Sequence, residues 1–285
     1  LDISNPRFMA TVKVAAFIAA YIAAAFLLGI LIRFLPAGVM DVFNPVAPVL
    51  MLIVLAIVFR VFWDREPVAT MGLASTPTWG YEFISGFAVG IFLISTIFAA
   101  TALAGGLTFK SHFSGGMLNY AFFGVLVFFF IGMLFQVFAE EIVFRGYLFV
   151  TTEKGWGAAA AVAVTSVLFG LSHFFNPGFS VFVAANLVLA GVLMALGVVV
   201  TRNIWWPLGF HLAWNFFEGY VFGFPISGVS ATPVSLFITK VGAPAWLLGG
   251  SFGPEGGAAA TIAFSAGIIW LLIKLKRRGR DAGTA

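Results

Sequence analysis

The stretch Gln136-Val-Phe-Ala-Glu140-Glu141-Ile-Val-Phe-Arg145-Gly-Tyr147 sets two adjacent carboxylates and an arginine inside an otherwise apolar run. Residues 118–138 carry no charge, so these groups arrive at or within a membrane-spanning helix, where ionisable side chains are expensive unless paired or working. Successive helical residues turn by about 100°, which points Glu140 and Glu141 to different faces. Glu141 and Arg145 form an i,i+4 pair on one face. Spacing therefore predicts that Glu141 is neutralised locally and Glu140 is not. A lone carboxylate in a low-dielectric cleft suits general-base work, whereas a salt-bridged one stays ionised and structural. The plainer reading is that all three charges mark the interface at the end of a helix.

Composition decides the class. Hydrophobic residues make up 61% of the chain and charged ones 9%, against about 25% charged in soluble domains. Several apolar runs exceed the length a helix needs to cross a bilayer, and none has the short alternating pattern of a barrel strand. The expectation is an all-α, polytopic membrane bundle of about eight transmembrane helices with an intramembrane active site, residues 1–285 forming a single integral membrane domain. No internal repeat, low-complexity segment or long linker divides it. The net charge of +4 follows from where Lys and Arg lie relative to the bilayer and gives no support to nucleic-acid binding. With no cysteine in the chain, thiolate catalysis, disulfides and cysteine metal sites are excluded.

Taken in order, the expected spans are Thr11–Leu31, Val46–Trp63, Tyr81–Ala104, Leu118–Thr152, Ala158–Phe175, Val181–Val200, Ile204–Val221 and Ala258–Ile273. The first is too long for the core of a signal peptide and reads as a retained span. A start at Leu1 rather than methionine fits a processed or engineered N-terminus. Phe222–Gly257 reads as a long Pro/Gly-rich connection with an interfacial or re-entrant part at Ala243–Leu248. Eight spans put both termini on one side. Of the 15 Lys and Arg, only Arg33, Lys110 and Lys240 then fall on the other, which makes the first side cytoplasmic.

Two further polar groups interrupt the apolar helices. Phe169-Gly-Leu-Ser-His173 places a histidine deep in the fifth span, while His211-Leu-Ala-Trp-Asn215 puts two polar groups on one face of the seventh, continued by Glu218 at i+7. Glu140 lies about 16 residues before the turn near residue 156 and His173 about 17 after it, so a hairpin rising about 1.5 Å per residue brings them to similar depth. His211 is only about 8 residues, or about 12 Å, from its own turn; unequal helix protrusion or tilt has to resolve that mismatch. His112 stands in a loop without acidic or histidine neighbours and reads as solvated.

Glu140-Glu141-x-x-x-Arg145, Phe169-x-x-x-His173 and His211-x-x-x-Asn215, with Phe144-Arg-Gly-Tyr-Leu148 after the glutamates, together resemble the CAAX protease and bacteriocin-processing family of intramembrane endopeptidases. The resemblance covers roughly residues 118–220, the family core. It implies catalytic roles for Glu140 in activating water, for His173 in orienting it, and for His211 and Asn215 in stabilising the oxyanion. Glu141, Arg145 and Phe169 would be supporting residues, with no cofactor and no metal. The implied partners are the lipid bilayer and a lipidated or transmembrane peptide substrate, including prenylated CAAX-type proteins. Glu218 has no role that the resemblance assigns. Three readings stay open beside it: a zinc-dependent membrane protease, since two histidines and a glutamate are a common zinc set; a non-hydrolytic scaffold or immunity protein; and a proton-coupled transporter. Against the last, repeat symmetry and broken helices are absent from the sequence.

Overall fold

The structure, a computed structural model, describes residues 4–111, 120–229 and 234–283; His112 lies outside them. Helix α1 (Pro6–Ile32) opens with Pro6 at its first position, and the Asn5 side chain accepts from the amides of Arg7 and Phe8. Helix α2 (Ala37–Val58) passes through Pro45 and Pro48 and ends in a π turn, Phe59–Trp63. It starts nine residues earlier than about Val46, where the sequence reading begins it. Prolines that would end a soluble helix are tolerated in a membrane one. Then come α3 (Trp79–Leu103), α4 (Tyr120–Glu141), a seven-residue π segment (Ile142–Leu148), α5 (Phe149–Trp156), α6 (Ala158–Ser172) and α7 (Val181–Thr201). Helix α8 (Trp205–Phe216) runs into a π turn at Phe217–Val221, and the short α9 (Ala245–Leu248) precedes α10 (Ala258–Gly283).

Among the described residues, six helices are long and apolar enough to cross a membrane. The remaining two of the eight expected spans are shorter: α6 has 15 residues and α8 has 12 before its π turn. Fifteen residues rise about 22 Å against a hydrocarbon core of about 30 Å. These short helices carry His173 and His211.

The segments form hairpins that leave and return to one end of the bundle, and polar contacts knit that end together. Asp64 accepts from Lys13 and Arg60, Glu66 pairs with Lys154 at 2.9 Å, and Trp156 Nε1 donates to the Arg7 carbonyl. Arg202 pairs with Glu153, and Arg278 donates to the Val200 carbonyl. The hydrogen bond from Lys154 holds the exposed Glu66 carboxyl below its ordinary range. The start of α1 and the end of α10 therefore share the cation-rich end.

At the opposite end the chain departs from the all-helical expectation. β1 (Leu107–Ser111) and β2 (Phe237–Val241) pair antiparallel, Leu107 opposite Val241, under an aromatic cluster in which Phe98 stacks on Phe222 at 4.3 Å. In the interior, α8 lies against α3 with almost no intervening side chain: a Cβ on Gly86 would stand 2.1 Å from the Trp206 carbonyl oxygen, and one on Gly209 would stand 2.1 Å from that of Phe83. Small residues permit this close backbone approach in a membrane helix pair. It fixes the height and rotation of α8.

Candidate active site

The π segment after Glu141 is buried along its whole length. A π turn widens the helix and is common at functional sites; here it is accommodated by Gly146, whose ideal Cβ would lie 3.2 Å from the Met71 carbonyl oxygen. Glu141 and Arg145 are both 0% exposed, and Arg145 Nη1 donates to Glu141 Oε1 at 2.9 Å. The guanidinium also reaches the Gly191 carbonyl of α7 at 3.5 Å and lies over the Phe169 ring, 4.4 Å from its centre.

Sequence spacing pairs Glu141 with Arg145 alone, but the structure adds a third member. His211 Nδ1 sits 2.8 Å from the same Glu141 Oε1. A carboxylate facing a guanidinium only accepts hydrogen bonds, so the hydrogen belongs on His211 Nδ1. That turns Nε2 towards Glu140, whose Oε2 is 3.9 Å away. The Glu140 side chain keeps 18% exposure while that of Glu141 has none, so the two neighbouring glutamates occupy different surroundings.

His173 forms the C-cap of α6. Its Nδ1 lies 2.9 Å from the carbonyl oxygen of Phe169, one turn back. A carbonyl also only accepts, which places the hydrogen on Nδ1 and leaves the Nε2 lone pair free. Phe169 joins the parts: its ring meets His173 at 5.0 Å and His211 at 5.7 Å, both edge-on, and packs against Phe144 at 5.4 Å. Asn215, one turn after His211, is 5% exposed, and its Oδ1 has no hydrogen-bond partner among the described residues.

The mismatch in depth is resolved by α5. Its eight residues extend the helix beyond the level at which α8 begins, so the extra residues between Glu140 and its turn are protrusion. Among the described residues, no three His, Asp or Glu side chains converge as a metal-ligand set. The nearest approach to one is spoiled by orientation, since both histidines commit Nδ1 to protein oxygens.

Sequence reasoning missed Glu255, which is 6% exposed and interacts electrostatically with both His173 and His211. The available signal was its isolation: it is the only charge between Lys240 and Lys274. Glu218 is 0% exposed and lies behind the same face as His211 and Asn215.

Neither curated proteins nor solved structures gave a match to the chain. A family model did, over residues 122–217, under the description Type II CAAX prenyl endopeptidase Rce1-like. That segment holds every motif residue from Glu140 to Asn215, and through it the chain belongs to the CAAX protease family of membrane-embedded endopeptidases.

Proposed function

We propose that the protein is an intramembrane glutamic endopeptidase that hydrolyses a peptide bond in a membrane-associated substrate. The observation that carries this reading is the division between the two glutamates: Glu141 is bound by Arg145 and His211, while Glu140 stands beside His211 Nε2 with part of its surface open. Glu140 takes a proton from water as the oxygen attacks the scissile carbonyl carbon. His173 Nε2 accepts a hydrogen bond from the same water and aims it. The carbonyl oxygen becomes an oxyanion, for which the Asn215 amide is a donor.

His211 serves the oxyanion only in its imidazolium form. Its Nδ1 hydrogen is committed to Glu141, so Nε2 donates only when a second proton is present. The carboxylates of Glu140 and Glu141 on either side favour that form. Glu140 then returns its proton to the departing amine as the C–N bond breaks. Phe169 keeps the two imidazoles apart, and Arg145 holds Glu141.

The matching family is described by prenylated CAAX substrates, and a lipidated peptide entering from the bilayer suits a site reached through apolar walls. The cation-rich end of the bundle is assigned to the cytoplasm, with both termini. The test is cleavage of prenylated and unprenylated C-terminal peptides by the purified protein in liposomes. The parent should cleave without stoichiometric zinc and after strong chelation, and Glu140→Gln should fall to background while still extracting as a folded species. Near-parental turnover in Glu140→Gln would sink the mechanism. One tightly bound zinc per chain, lost together with activity in His173→Ala and His211→Ala, would replace it with metal chemistry.

A further inference from the structure

Glu255 sits in a turn that only glycine can build. Gly249, Gly250 and Gly253 all take positive φ, and a Cβ on Gly249 would lie 1.9 Å from the Gly253 carbonyl oxygen. A Cβ on Gly253 would lie 2.1 Å from that of Pro225. The turn is also anchored from outside. Asn186 of α7 donates to the carbonyls of Glu255 and Gly257, both at 2.9 Å, and accepts from Thr261. So much constraint on a connecting segment delivers one buried carboxylate beside two histidines.

That carboxylate is tied to His173 by a continuous path. Ser227, held at φ 46, donates from Oγ to Glu255 Oε2. The Ser227 carbonyl accepts from Asn176 Nδ2 at 2.8 Å, and the Asn176 amide donates to the His173 carbonyl at 2.9 Å. A non-glycine residue in the left-handed region is uncommon and collects at working sites. Beside Glu255 lies Glu218, with which it interacts electrostatically; neither Glu218 oxygen closes a hydrogen bond among the described residues. Among those residues no Lys or Arg forms an ion pair with either acid, and two carboxylates buried together without a cation do not both ionise. Glu255, with its hydroxyl donor and two imidazoles, is the better placed to bear the charge.

Resting on the hydrolytic reading of Glu140, His173 and His211, we propose that Glu255 is a positioning residue of that centre. As a carboxylate it holds the end of α6 through Ser227 and Asn176 and presents a fixed negative charge to the imidazoles, while Glu218 beside it carries a proton.

The liposome peptide assay tests this with Glu140→Gln as the inactive control. Glu255→Gln keeps an acceptor for Ser227 and loses the charge; its kcat should fall about ten- to a hundredfold with KM nearly unchanged, the scale of a misoriented catalytic group. Glu255→Asp should recover part of the loss. Glu218→Gln imitates a protonated acid and should turn over at the parental rate, and Ser227→Ala should lower kcat by cutting the path. Parental kcat in Glu255→Gln, or an equal fall in Glu218→Gln, would overturn the assignment. Should Glu255→Gln not fold, parental kcat in Ser227→Ala overturns it instead. Turnover surviving in Glu140→Gln would strike the hydrolytic reading itself, so the two failures are distinguishable.

Discussion

Two glutamate–arginine pairs in this protein differ in a way that reverses the usual ranking by geometry. Glu153 and Arg202 share two hydrogen bonds, 2.7 and 3.0 Å, with the arginine side chain 64% exposed. Glu141 and Arg145 share a single bond of 2.9 Å with both side chains wholly buried. The surface pair has the better fork, and it holds the Arg202 guanidinium charged above its ordinary range. Water and salt nevertheless screen it, and exposed pairs contribute little to stability. The buried pair makes fewer contacts, but neither partner has anywhere else to put its charge. Its importance lies in what its loss would leave behind.

The largest effect expected from this contrast is in Arg145→Met. Glu141 would keep only His211 as a partner, and an uncompensated buried charge costs about 3–5 kcal/mol. A clear fall in melting temperature in detergent should follow, partly recovered in the double variant Glu141→Gln/Arg145→Met, where no lone charge remains. A parental melting curve for Arg145→Met would erase the distinction between the pairs.

Asn215 sharpens it from the side of chemistry. Asn215→Ala removes a neutral buried group, so its main effect should be on rate: about 10²–10³ lower turnover with little change in KM, the usual loss for one oxyanion donor. A variant that melts much earlier but turns over normally would make Asn215 a packing residue.

Arg202→Ala should do least. The surface pair should account for less than about 1 kcal/mol, turnover should match the parent, and added salt should shrink any difference in melting temperature. A salt-insensitive loss as large as that of Arg145→Met would show that the polar end of the bundle holds charges as tightly as its interior.

The motif residues were legible because ionisable and amide groups are rare in apolar helices, so Glu140, Glu141, Arg145, His173, His211 and Asn215 stand out and their spacing limits which can share a face. The structure brings them to one place. What spacing did not reveal is the sharing of Glu141 Oε1 between Arg145 and His211, because a contact between α4 and α8 leaves no trace in either local pattern. The two strands were also missed: Leu107-Thr-Phe-Lys-Ser111 and Phe237-Ile-Thr-Lys-Val241 do alternate, but five residues each is a weak signal beside helices of over twenty. Glu255 was lost for a different reason. Pro and Gly around it read as a connection, whereas here the glycines serve close backbone approach.

The π segment at Ile142–Leu148 makes the protein sensitive to reading phase as well as to residue identity. Deleting one residue there, so that the wide turn closed to an ordinary α turn, would leave every apolar side chain in a hydrophobic helix yet rotate α5 by about 100° relative to α4. Trp156 would swing off Arg7 and Glu153 off Arg202, while Glu140 and Glu141 upstream stayed in place. A single-codon deletion is therefore expected to separate the bundle's outer seam from its chemistry, whereas most single substitutions on the lipid face leave both alone.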